Sequence, residues 1–278
     1  MRKPQILITV AALALCAMLA FAPKYVVDNN KGETALSTSG QSEEQSAVTN
    51  PTVESGHVEI SEEMEAQLVD LRNTFSETEN QQEASGLLDK LVETYKSINA
   101  YDSAAYYATV FADKFPSAVN FLRAGDLYYE AYTFAVNKDR VDLFSSKLRE
   151  QYRKVEEFGN MPSDARVKLG MTYVSGENPM RGITMIREVL REDPNNTTAI
   201  FNLGLLSMQS GQFDKAVERF EKLKELQTDN LQAKFYLGIS YLENGQEEKA
   251  KAELSELKEL ETDPQILETV NSYLSRIQ

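Results

Sequence analysis

Cysteine and histidine are nearly missing from this chain. Cys16 and His57 are the only ones among 278 residues, and there is no tryptophan. A lone cysteine forms no intrachain disulfide and no thiolate metal cage. With one histidine there is no zinc site of the usual kind, no Ser/His/Asp triad and no Cys/His pair. Positive charge is also scarce: 29 Lys and Arg face 43 Asp and Glu, and the formal charge of -14 opposes nucleic acid and anionic headgroups as general electrostatic partners. No glycine-rich phosphate loop occurs. No cofactor or metal is expected. Carboxylates are plentiful, but Glu247–Lys251 and Glu218–Lys222 have the i,i+4 order of solvated helix faces. A catalytic acid needs burial or a neighbour that shifts its pKa, so the chain reads as non-enzymatic.

The first sixty residues differ from the rest. Arg2 and Lys3 precede Ile6 to Ala22, an uncharged run whose one polar group is Thr9, and Lys24 closes it. Seventeen residues reach roughly 25 Å as a helix, the low edge of what crosses a hydrocarbon core of about 30 Å. Three readings are open for this segment, residues 1–23: an uncleaved anchor, a cleaved secretory signal ending at Ala20-Phe21-Ala22, and a lipoprotein signal at Cys16. Pro23 sits badly for cleavage, and Leu15 stands where lipoprotein signals carry a small residue, which favours the anchor. Basic residues before the run place the bulk of the chain across the membrane, in the periplasm if the source is bacterial. Residues 24–60 are rich in Ser, Thr, Glu, Gln, Asn and Gly and read as a disordered tether.

Beyond the tether a period of thirty-four residues governs the sequence. Leu169-Gly170, Leu203-Gly204 and Leu237-Gly238 recur at that offset. Counting modules from Ser163, Thr197 and Leu231, position 20 is Gly182, Ala216 and Ala250, and position 24 is Ile186, Phe220 and Leu254. Glycine within a helix costs about 1 kcal/mol relative to alanine; three in register imply a close approach of two helices, with the large residues filling the wider space. Gly211 and Gly245 end the first helices as left-handed caps, while Gly176 comes one residue early. The period and these slots resemble the tetratricopeptide repeat (TPR) family. The resemblance implies an all-α fold, a right-handed α-solenoid of helical hairpins.

Upstream the pattern persists in weaker form. Numbering from Ser85 places Leu88, Leu91, Tyr95, Ala104, Phe111 and Pro116 at repeat positions, and Ala124-Gly125-x-x-Tyr128 opens a module about ten residues longer than one period. Its second helix is expected over 141–158. The organisation is therefore a lead helix within 61–84, degenerate hairpins over 85–162, three repeats over 163–264 and a capping helix over 265–278.

In the family, positions 2, 5, 9, 12 and 13 of the first helices line a concave face. Positions 5, 9 and 12 here are Val167, Met171, Val174, Phe201, Leu205, Met208, Phe235, Ile239 and Leu242, all apolar. Relatives that clamp a carboxylate use Lys and Asn there; Asn202 is the one such match. The resemblance thus implies a protein or peptide partner, held through an amphipathic helix or an apolar extended stretch. It is similar to anchored TPR proteins of bacterial envelope assembly and chaperoning. Two other readings of the same residues stay open: self-association into a homo-oligomer, and plain core packing. A small-molecule or enzymatic site within 119–162 is a minor alternative. Tyr106, Tyr107, Tyr128, Tyr129 and Tyr132 are read as packing residues, since adjacent residues on a helix face different directions.

Overall fold

The computed structural model describes residues 60–277 apart from positions 160 and 177. The expected anchor, 1–23, and all but the last residue of the tether lie outside the described residues. Among the described residues there are twelve helices and no strand, and no helix is long and apolar enough to cross a membrane.

A single helix, α1 (Glu62–Glu77), leads five hairpins: α2 (Gln81–Ser97) with α3 (Tyr101–Lys114), α4 (Ala118–Thr133) with α5 (Lys138–Glu157), α6 (Ser163–Val174) with α7 (Pro179–Glu192), α8 (Thr197–Gln209) with α9 (Phe213–Leu226), and α10 (Leu231–Glu243) with α11 (Glu247–Leu260). The last helix, α12 (Pro264–Ser275), packs on α11. The two partners of each hairpin pack extensively on one another, and hairpins follow in order along the array. The architecture is an all-helical solenoid of the type the period implies.

Each glycine in the repeat slot faces the large residue of the second helix. A Cβ on Gly204 would lie 2.7 Å from the Phe220 ring, one on Gly238 2.6 Å from Leu254, and one on Gly170 2.8 Å from Ile186. Phe220, Leu254 and Ile186 are fully buried against them. In the long module Gly125 faces Tyr152 in the same way, although the pair is twenty-seven residues apart instead of sixteen. The difference of eleven is close to three helical turns at 3.6 residues per turn, so the lengthening keeps the contact in phase. The first hairpin inverts the arrangement: Val92 occupies the glycine slot and Ala108 the large one. Here bulk and space have exchanged helices.

The turns follow the same register. Gly211 and Gly245 have φ of 70° and 72°, and the next amides, of Gln212 and Gln246, donate to the carbonyls of Ser207 and Tyr241 at 2.8 Å, the Schellman closure. In the first hairpin Asn99 takes that slot with φ 58°, and the Ala100 amide donates to the Tyr95 carbonyl at 2.9 Å. Asparagine tolerates the left-handed region through its short polar side chain. Gly176 lacks a positive φ, so its early position goes with a different turn. Two element boundaries differ from the sequence reading. The helix of the first hairpin starts at Gln81, inside the stretch given to the lead helix, because Asn80 caps it by accepting from the Glu83 amide at 3.0 Å. The second helix of the long module starts at Lys138, where Asn137 caps it in the same manner.

Candidate functional site

The nine apolar residues of the expected groove lie on α6, α8 and α10. Val167, Leu205, Met208, Phe235 and Ile239 are buried within the chain itself, whereas Met171, Val174, Phe201 and Leu242 are half-buried. Neighbouring repeats account for much of this. Phe201 meets the ring of Tyr236 on the next first helix edge-on at 5.6 Å, and Phe235 meets Tyr273 of α12 at 6.2 Å. Positions that the family pattern assigns to a ligand face therefore largely stitch one repeat to the next. The repeat-packing positions are placed as their sizes demand: Leu203, Leu237, Ala216, Ala250, Gly170, Gly204 and Gly238 are buried, and Leu169 is half-buried against the N-terminal part of the core.

Earlier in the array the first helices are joined differently. Arg123 of α4 pairs with Asp89 of α2, and Lys96 of α2 reaches both carboxylate oxygens of Glu130 at 2.9 and 2.7 Å. Lys168 of α6 bonds Asp126 of α4 at 2.7 Å, and the Tyr152 hydroxyl donates to the same carboxylate oxygen at 2.6 Å. Burial, with the Asp126 carboxylate beside it, pushes the Tyr152 phenol far above its ordinary pKa; the phenol is therefore fixed as a donor, and Asp126 is held in place from two sides. Over α4 these residues frame a groove of about 600 Å³ lined by Val119, Leu122, Arg123, Asp126, Leu127, Tyr129, Glu130 and Lys168. Val119, Leu122, Asp126, Tyr129 and Glu130 occupy positions 2, 5, 9, 12 and 13 of this module counted from Ala118. Val119 is 72% exposed, unusual for valine in a packed array. Sequence reading missed this groove, though extending the Gly125 register back to Ala118 would have marked its five slots.

A second depression of about 630 Å³ lies between α9, α10 and α11. Its polar groups are spent on one another: Lys234 Nζ bonds Glu256 at 2.6 Å, Lys224 bonds Glu253 at 2.6 Å, and the Tyr241 hydroxyl donates to Glu221. Lys234 has a side chain only 5% exposed, so pairing offsets much of its desolvation.

Among the described residues, two carboxylates are displaced in their titration, Glu192 and Glu256, and both are held down, the first by its hydrogen bond from Arg166 and the second by that from Lys234. A proton donor requires the opposite shift. Among the described residues no group of three His, Cys, Asp or Glu is placed to hold a metal. The tyrosines singled out in the sequence are packing residues in large part: Tyr107 stacks on Tyr95 at 5.5 Å and meets Phe75 edge-on at 5.9 Å, and Tyr129 stacks on Tyr132 at 5.6 Å.

Residues 207–269 match the family model of the tetratricopeptide repeat. Over that stretch the chain is similar to tetratricopeptide-repeat sequence, and the stretch lies within the all-helical solenoid described above. No curated protein matches the chain. Solved structures with a similar course include YrrB, described as a TPR protein with an unusual peptide-binding site, at 17% identity and a TM-score of 0.42, covering 72% of this chain and 96% of that one. MamA from Desulfovibrio magneticus aligns at 15% identity and a TM-score of 0.44, covering 63% and 93%. The C-terminal part of a TPR repeat-containing protein from Cytophaga hutchinsonii aligns at 12% identity and a TM-score of 0.46, covering 78% and 91%. Likeness at this level carries no inference about shared partners.

Proposed function

We propose that this protein is a non-catalytic scaffold that holds an amphipathic or apolar segment of a partner protein along its first-helix face. Its N-terminal segment tethers the solenoid to a membrane, with the folded part on the extracytoplasmic side, and its process is the assembly or chaperoning of envelope proteins. The observation that carries the binding reading is the line of half-buried apolar residues left on that face, Met171, Val174, Phe201 and Leu242, beside the groove over α4, to which α6 contributes Lys168. Apolar side chains left in contact with water on an ordered face favour an apolar visitor. The tether reading rests on the sequence of residues 1–60.

Affinity capture from native membranes with full-length protein tests both parts. Met171→Glu with Leu242→Glu should lose the partner while keeping wild-type helicity, because both side chains already touch solvent. An identical catch from wild type and variant would remove this face as the site. Carbonate washing should leave the full-length chain in the membrane pellet; N-terminal sequencing that begins at Pro23 or later would remove the anchor.

A further inference from the structure

The buried apolar core is interrupted along the solenoid. One cluster runs from Leu68 to Ala165 and another from Ile200 to Val270, and between them Val167, Ile186, Val189, Ala199 and Leu203 form a third, much smaller one. Helix α6 is divided by this break: Ala165 and Leu169 pack with the N-terminal cluster, Val167, Met171 and Val174 with the small middle one. Helices α5 and α6 approach each other over few residues, and α7 and α8 over scarcely more, whereas α3 packs along α4 and α9 along α10.

Beside the packing of Ala165 and Leu169 on the N-terminal cluster, polar contacts cross the seam before α6. Lys168 bonds Asp126 at 2.7 Å, the Tyr132 hydroxyl donates to the Met171 carbonyl at 3.3 Å and also pairs with the Ser175 hydroxyl, and the Arg149 guanidinium lies 5.6 Å from the Tyr173 ring centre. The α3–α4 and α9–α10 seams carry stacked rings instead: Tyr101 on Phe134 at 4.3 Å and Phe220 on Tyr236 at 5.6 Å. Helix α6 is also the one first helix of a hairpin without a side-chain N-cap, since Pro162 stands where Asn80, Ser117, Asn196 and Asn230 cap the others. Within its hairpin, by contrast, α6 is tightly held. Gly170 and Gly182 bring the two backbones so close that a Cβ on Gly182 would strike the Gly170 carbonyl.

In a solenoid each module is held by its own packing and by its two interfaces. A module that is tight inside and joined through a thin polar seam moves as a body at that seam, and exchangeable hydrogen bonds set the angle. We propose that this array articulates between α5 and α6, residues 62–158 and 163–277 moving as two bodies, with Lys168–Asp126 and Tyr132–Ser175 as the latch. The inference does not depend on the identity of the partner. It does affect the groove over α4, because Asp126 and Lys168 stand on opposite sides of the seam and both line it. A ligand that prefers one groove width would then select one angle.

Spin-label distance measurements on the full-length chain, in a Cys16→Ser background, test this. One label pair crosses the seam, at the exposed positions Gln82 and Lys251; two control pairs, Gln82 with Ser146 and Glu218 with Lys251, stay within a body. The cross-seam distribution should be at least about twofold broader than the controls, as expected for hinge motion between packed bodies. It should broaden further in Lys168→Ala and at 1 M salt, where the screening length is about 3 Å. Helicity by circular dichroism checks that each variant is folded. A cross-seam width equal to the controls would overturn the articulation, and a broad width indifferent to Lys168→Ala and salt would overturn the latch.

Discussion

From α2 to α6 the first helices are joined by ion pairs about one repeat apart, Asp89–Arg123, Lys96–Glu130 and Asp126–Lys168, and the face they leave open holds a groove with polar walls. From α8 to α12 the equivalent joints carry mainly rings and aliphatic chains, with an ion pair of Glu243 and Arg276 at the far end, and the face is largely consumed by them. The two regions share one backbone plan and one rule of bulk against glycine. Their difference shows that a repeat's inner positions serve either inter-repeat adhesion or an open surface, and that apolar residues there lean toward adhesion. Pairs such as Asp89–Arg123 sit partly in water and add little net stability, whereas buried rings contribute both area and specific geometry.

The sharpest way to break this comparison is to charge a joint of the C-terminal half. Phe235→Glu would place a carboxylate among Tyr236, Tyr273 and Phe235's other buried neighbours, and should destabilise that half by about 3 to 5 kcal/mol. Urea melts that match wild type would mean that Phe235 belongs to a surface after all. Next in size is the backbone crossing in the middle hairpin. Gly182→Ala drives a methyl into the Gly170 carbonyl, which cannot move as a ring can, and should cost about 2 to 3 kcal/mol even after the helix-propensity gain of about 1 kcal/mol. Gly204→Ala meets only the far edge of the Phe220 ring and should cost less. Equal losses would argue that both crossings relax alike.

The two regions also differ in their response to alkali. Burial raises the pKa of Tyr95, Tyr128, Tyr129, Tyr132 and Tyr152 in the N-terminal half, while in the C-terminal half burial and Glu221 raise that of Tyr241. A raised folded pKa means that the neutral phenol is favoured by folding. This stability is complete below the ordinary tyrosine value near 10 and is lost as pH rises through the folded value. The urea midpoint should therefore fall between pH 9 and 11.5, and Tyr152→Phe should fall less steeply; identical slopes would show that Tyr152 is not among the titrating groups that matter. The smallest expected change is a gain. Gln151 is fully buried on α5 with neither amide atom hydrogen-bonded, so Gln151→Met should add about 1 kcal/mol. A loss in its place would reveal a partner for that amide.

Much of this was legible in the residues. The Leu-Gly recurrence announced hairpins, and the pairing of glycine with Ile186, Phe220 and Leu254 followed from size and register alone. The first hairpin was harder because its signals are transposed: Asn99 replaces the capping glycine, and Val92 with Ala108 exchange bulk. The groove residues were the least legible. An apolar residue at position 5 reads the same whether it faces a ligand or the next helix, and nothing within one repeat tells how closely its neighbour sits.

By itself the sequence determined the helical period, the placement of small against large side chains and the absence of histidine and cysteine chemistry, since each depends on residue identity at a fixed spacing. Tertiary structure alone decided which inner-face residues stay in contact with water, where the core is interrupted and which carboxylates find a cation. Those outcomes depend on distances between repeats, set by the packing of many side chains at once rather than by any position in the period.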